Sequence, residues 1–140
     1  MQQIQGIYIS KGINGRGVFA GIEIQEGSPI EFCPVIIIPE KEVDAIHHTE
    51  LHDYYFIWGE EDEQAAIALG YGSLYNHSYT PNADFILDLA EETINFFAIR
   101  KIKAGEEITI NYHGLPEADD ELWFDEKRRR TKRNKYEMRQ

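Results

Sequence analysis

Short β-branched and aromatic runs recur along most of the chain, each closed within about ten residues by glycine, proline or asparagine. Residues 6–10 and 17–20 are predicted strands, split by the turn-rich Lys11-Gly12-Ile13-Asn14-Gly15. Residues 30–38 form a longer β-branched run that ends at Pro39. Residues 53–58, 65–69, 83–89, 93–99 and 107–112 complete the strand set, with Ala90-Glu91-Glu92 as a hairpin-like connection. The best helix candidate is 39–48, where proline opens the first turn, acids come early and histidines late, matching the helix dipole. Strands of this number and spacing predict a mainly β fold of several small sheets with a few short helices. No strand alternates with a long helix, so a doubly wound parallel sheet is excluded.

At 140 residues the chain predicts one principal domain, here residues 1–114, followed by a flanking segment 115–140 with a basic tail. Hydrophobic residues are 42% of the total, enough to build a core rather than remain disordered. No apolar run approaches the roughly 20 residues that span a bilayer. The first residues lack the basic and apolar regions of a secretory signal, so the expected compartment is cytoplasmic, or nuclear in a eukaryotic setting. The single cysteine, Cys33, excludes an internal disulfide and a cysteine-based zinc site, and reads as a small buried hydrophobe. Net charge is −11, but it is unevenly spread. Residues 1–125 carry 6 Lys/Arg against 23 Asp/Glu, while residues 126–140 carry 8 against 2. An acidic body disfavours nucleic acid and attracts a cationic peptide. The tail can contact nucleic acid, fold back on the acidic body, pair with a second copy or remain solvated.

Three polar or glycine-bearing stretches stand out against the strand pattern. Gly15-Arg16-Gly17 precedes Val18-Phe19-Ala20, which has no helical period and so cannot open a dinucleotide-binding helix. The pair of glycines is either an ordinary tight turn or a place where a ligand approaches the backbone. Asn76-His77-Ser78 lies between two apolar strands and is followed by the turn signal Pro81-Asn82. Its side chains can cap their own loop or present donors and acceptors to a ligand. Tyr112 ends the last predicted strand and is either a hydrogen-bonded core phenol or the floor of a pocket.

In their order and spacing, Gly15-Arg16-Gly17-Val18-Phe19-Ala20, Tyr75-Asn76-His77-Ser78-Tyr79-Thr80-Pro81-Asn82 and Gly105-Glu106-Glu107-Ile108-Thr109-Ile110-Asn111-Tyr112 together resemble the signature of a minimal, stand-alone SET domain, a protein lysine methyltransferase family. The resemblance covers residues 6–114 and implies a β-clip-like fold with a C-terminal pseudoknot, in which the segment around Asn76-His77 passes beneath the last strand. It implies that Gly15, Arg16 and Gly17 contact S-adenosylmethionine chiefly through backbone. It also implies that Asn76 and His77 hold the amino-acid part and the adenine, and that Tyr112 sits beside the methyl group. It places another channel aromatic near Tyr54 and Tyr55. Neighbouring strand residues face opposite ways, so one of the two points inward, and Tyr54 is favoured. The implied reaction is methyl transfer to a lysine ε-amine, on a histone tail or another basic protein. The alternative is a catalytically weak module of the same fold that binds a basic peptide.

The departures locate what the resemblance leaves open. Ser73-Leu74 stands where members often carry an arginine and an aromatic, Tyr79 where they often carry cysteine, and Asn111 where they often carry aspartate. Many members close the lysine channel with a zinc-bound cysteine cluster that this chain cannot form. Trp123 and Phe124 are the candidates to close it here, and a homodimer is another way to complete the groove. Ile110 would give a dry channel wall if it faces inward. A metal site is a competing idea, because His48 and His52 are spaced i, i+4 and would share a face if helical, but the order differs from the zinc-protease pattern.

Overall fold

The structure, a computed structural model, describes residues 6–112. Its elements are β1 (Ile7–Gly12), β2 (Gly15–Ala20), β3 (Pro29–Ile38), α1 (Glu40–His47), β4 (Tyr55–Trp58), β5 (Gln64–Ala68), β6 (Asn76–His77), β7 (Ala83–Asp88), β8 (Thr93–Ala98) and β9 (Glu107–Ile110). Short 3₁₀ turns occupy Glu50–Asp53 and Gly72–Leu74. One sheet has the order β1-β2-β9-β6 and the other β4-β5-β3-β8-β7. The mainly β expectation holds.

The differences lie at strand ends. β1 and β2 extend through the glycine-rich segment until Gly12 pairs with Gly15, leaving Ile13-Asn14 as a two-residue tip. Gly15 has φ +84°, the left-handed conformation that glycine accepts most readily and that closes such a hairpin. The predicted strand 53–58 starts two residues later, because a 3₁₀ turn capped by the Thr49 hydroxyl uses Glu50–Asp53. Asn76-His77, read as loop, forms a two-residue strand parallel to β9, with Asn76 opposite Thr109 and His77 opposite Ile110. That pairing sets the second stretch alongside the third, as the threading implied by the resemblance requires. The helix matches its prediction: Pro39 is extended at φ −66°, Glu40 and Glu42 lie in the first turn and His47 in the last.

The core sits between the two sheets, around Phe56, Phe85, Phe96 and Tyr75, with Val18, Ile30, Ile94, Ile108 and Ile110 packed beside them. Phe56 meets Phe85 edge-on at 5.2 Å, and Tyr75 lies against Phe96 at 4.6 Å, favourable aromatic separations. Cys33 is buried, as its apolar run implies. Burial first, and the Glu31 carboxylate second, push its thiol far above the ordinary range, so it stays protonated. β3 departs from regular pairing at one point. Pro29 faces Phe97 and Glu31 faces Phe96, so two residues of β3 span one step of β8. The bulge turns both Ile30 and Glu31 inward, where strict alternation would expose one of them.

Candidate active site

The three stretches meet around one cavity of about 430 Å³. Arg16 from β2, Tyr54 before β4, Asn76 from β6 and Tyr112 after β9 line it, together with Lys11, Asn14, Asp53, Ser73 and Leu74. Asn76 ties the stretches together. Its amide nitrogen donates to the Arg16 carbonyl at 2.9 Å and to Glu107 Oε2 at 2.8 Å. Both N–H groups are thereby used, which orients the amide and leaves its carbonyl oxygen as the acceptor offered to a ligand. Glu107 Oε1 also accepts from Asn14 Nδ2 at 3.2 Å, so one carboxylate holds two asparagines of the cavity wall. The absence of a side chain at Gly17 has a direct reason here. A Cβ on Gly17 would overlap the Glu107 carboxylate and come within 2.8 Å of Asn76 Nδ2.

The second and third stretches lock at two further places. Asn82, only 2% exposed, donates to the Glu107 carbonyl at 2.8 Å and accepts from Thr109 N–H at 2.9 Å. His77 Nδ1 accepts from Tyr112 N–H at 3.0 Å, which puts the ring proton of the neutral imidazole on Nε2. The His77 ring packs against Tyr112 at 5.1 Å and meets Tyr79 edge-on at 4.4 Å. The Tyr112 hydroxyl, buried with its ring, donates to the Tyr75 carbonyl at 2.8 Å. With its proton committed there, the phenol oxygen can accept from a substrate amine.

Tyr54 and Tyr55 separate as adjacent residues entering a strand should. Tyr54 lines the cavity of the three stretches, whereas Tyr55 is fully buried and faces a second cavity of about 780 Å³. Glu40, Asp44, Glu61, Asp62 and Glu63 line that second space, so it is acidic. Ser73, which replaces the familiar arginine, is buried and its hydroxyl accepts from Ala68 N–H at 3.0 Å. Trp123, Phe124 and the basic tail lie outside the described residues. Lys11 and Asn14 read only as turn residues and Glu107 only as part of the third stretch; their meeting at one wall comes from the fold, which joins residues from opposite ends of the chain.

The histidines do not share a helical face. α1 stops at His47, His48 turns its ring onto the Asp44 carbonyl at 2.8 Å, and His52 Nδ1 bonds the Thr49 carbonyl at 3.0 Å while its Nε2 lies 3.0 Å from Asp53 Oδ1. Among the described residues, no three His, Cys, Asp or Glu side chains are grouped to hold a metal ion.

A family model described as the SET domain matches residues 15–113. The chain belongs to the SET-domain family. A histone-lysine N-methyltransferase of Schizosaccharomyces pombe, specific for H3 lysine-37, is 34% identical over 113 residues, covering 80% of this chain and 71% of the relative. A solved structure of a candidate histone methyltransferase from Plasmodium falciparum is similar with a TM-score of 0.65 at 32% identity, covering 80% of this chain and 95% of that one. The structure of ctPRC2 in an autoinhibited conformation, bound to S-adenosylmethionine, is similar with a TM-score of 0.64 at 26% identity, covering 79% of this chain and 16% of that one. As a SET domain the chain is a protein-lysine N-methyltransferase that uses S-adenosylmethionine. The cavity suits that cofactor chemically. Lys11 and Arg16 offer cations for its carboxylate, and the oriented Asn76 oxygen offers an acceptor for its ammonium.

Proposed function

We propose that the protein methylates a lysine in a basic segment of a partner protein, with histones the first substrates to test. The observation that carries the reading is the gathering of Arg16, Asn76, Tyr54 and Tyr112 around one cavity. The S. pombe relative acts on histone H3, and the carboxylates beside Tyr55 favour a lysine-rich segment at the neighbouring face. A histone substrate would place the activity in the nucleus. Among the described residues, no helix is long and apolar enough to cross a membrane.

Bound S-adenosylmethionine supplies a methyl group activated by a sulfonium. In this reading Arg16, Asn76 and His77 hold the cofactor, Gly15 keeps the backbone of the hairpin open, and Gly17 makes room for the Glu107 carboxylate that holds Asn76. A lysine amine must be neutral to attack, and its ordinary pKa is about 10.4. Enclosure between Tyr54 and Tyr112 disfavours the ammonium and lowers that value. The Tyr112 oxygen accepts an amine N–H and turns the nitrogen lone pair towards the methyl group. Holding the reacting atoms about 3–3.5 Å apart and in line supplies a large part of the acceleration. Tyr54 forms an aromatic wall that attracts the cationic side chain on entry. The lysine side is left to be closed by residues outside the described ones, among them the candidates Trp123 and Phe124, or by a second copy of the chain, and light scattering tests for the second copy.

The test is isothermal titration with S-adenosylmethionine followed by transfer of labelled methyl to a histone panel. Saturable binding, transfer to lysine and loss of binding in Asn76→Ala are expected. Cofactor binding with no transfer to any protein would contradict the reading and favour a peptide-binding module.

A further inference from the structure

Glu31 is 1% exposed in a strand of apolar residues, an expensive place for a carboxylate. Neither the cofactor contacts nor the lysine channel uses it. Its two oxygens nevertheless have definite partners. One accepts from Tyr71 N–H at 2.9 Å and the other from the Tyr75 hydroxyl at 2.8 Å. These donors stand at the two ends of the turn 71–75, which contains the 3₁₀ segment Gly72–Leu74. The same turn puts Ser73 and Leu74 on the cavity wall, presents the carbonyl that receives the Tyr112 hydroxyl, and leads directly into Asn76.

The bulge in β3 is what brings the carboxylate there, since it turns Glu31 inward beside Ile30. The Tyr75 ring is held twice, by Phe96 against its face at 4.6 Å and by Glu31 at its hydroxyl. A ring fixed at both places restricts the peptide that carries the Tyr75 carbonyl. Burial first, and Glu31 second, hold the Tyr75 phenol well above its ordinary range, so it remains a donor at physiological pH.

We infer that Glu31 is a positioning residue for methyl transfer: by clamping both ends of the turn 71–75 it sets the Tyr75 carbonyl, and through it the Tyr112 phenol, in the orientation that aligns the substrate amine. The inference rests on the methyl-transfer reading above. It differs from a purely structural role in one respect. Glu31 matters to the rate only while Tyr112 has a hydroxyl to be placed.

Two measurements test it. In protein labelled with ¹³C at the tyrosine rings and free of cofactor, the Tyr112 signal is assigned by its loss in Tyr112→Phe. Glu31→Gln, which retains the shape but loses one acceptor, is expected to shift that signal. In single-turnover transfer at saturating cofactor, Glu31→Gln is expected to lower the rate about tenfold with cofactor Kd changed less than about twofold. In the Tyr112→Phe background the same substitution is expected to change the residual rate less than about twofold, because coupled residues are non-additive. Tyr75→Phe, which removes only the hydroxyl, should reproduce each effect and serves if Glu31→Gln does not fold. Equal losses in both backgrounds, a parallel loss of cofactor affinity, or an unmoved Tyr112 signal would overturn the inference. Should the wild type transfer no methyl, the functional reading fails on its own, and the ring signal alone decides whether Glu31 positions Tyr112.

Discussion

Glu107 and Glu31 each tie separate segments near the cavity together through side-chain hydrogen bonds, but Glu107 is half-buried and Glu31 is 1% exposed. Glu107 joins side chains of Asn14 and Asn76 at a wall that water also reaches. Glu31 joins a backbone N–H and a phenol inside the core, where water cannot replace a lost partner. The same functional group therefore has different consequences in the two places. At the half-buried site it sets the shape of the cavity wall through Asn14 and Asn76. In the core it is bound up with stability, because an unsatisfied buried donor carries its full desolvation penalty.

Substitution of each carboxylate by an apolar residue breaks this comparison most sharply. Glu31→Leu leaves the Tyr75 hydroxyl and Tyr71 N–H without their acceptor and should destabilise the fold by about 3 kcal/mol in urea unfolding. Adding Tyr75→Phe removes one orphaned donor and should restore part of that loss. An unchanged midpoint in Glu31→Leu would show that the core tolerates the change and that the contrast is empty. Glu107→Ala should leave stability within about 1 kcal/mol of wild type yet weaken cofactor binding about tenfold, the equivalent of one lost hydrogen bond to a charged group.

Smaller effects sharpen the account of the half-buried carboxylate. Gly17→Ala pushes the Glu107 carboxylate aside, and that carboxylate is the movable end of a flexible side chain. Calorimetry should therefore show cofactor Kd raised about fivefold with little change in Tm, a separation of affinity from stability. In Glu107→Ala the same glycine substitution should have a smaller further effect on affinity, the remainder coming from Asn76 Nδ2, which lies 2.8 Å from the added Cβ.

The smallest effect concerns pH. Because the folded-state pKa of Tyr75 is raised, the unfolded chain releases this proton above its ordinary value of 10.0 while the native state retains it. Stability is thus fully present below that pH and falls as pH rises above it. The fall should be shallower in Tyr75→Phe, measured as the difference in unfolding free energy across pH 9–11. Cys33 contributes in the same direction from its ordinary value of 9.0, so Cys33→Ala should reduce the slope as well.

Much of this arrangement was legible in the chain. β3, β7, β8 and α1 appear as runs bounded by proline or turn residues, and the three stretches do meet at one cavity. His48 and His52 would share a face only on one continuous helix, and Thr49 caps a new turn between them. Strand β6 was not legible: two residues carry no periodicity, and its pairing depends on β9 more than thirty residues later. Glu107 stands within the third stretch, but its bonds to Asn14 and Asn76 were not legible, since an acid on a terminal strand ordinarily reads as solvated surface. Glu31 did leave a trace, a lone acid inside the apolar run 29–38, but the bulge that buries it arises from pairing with β8. What local pattern cannot supply is the identity of distant partners, and both organising carboxylates are defined by theirs.

The most direct test is transfer of labelled methyl from S-adenosylmethionine to histones by the wild type and by Tyr112→Phe at saturating cofactor. Lysine methylation by the wild type, a loss of about a hundredfold or more in Tyr112→Phe, and cofactor Kd within about threefold of wild type are expected. Transfer by Tyr112→Phe at the wild-type rate would contradict a catalytic role for Tyr112.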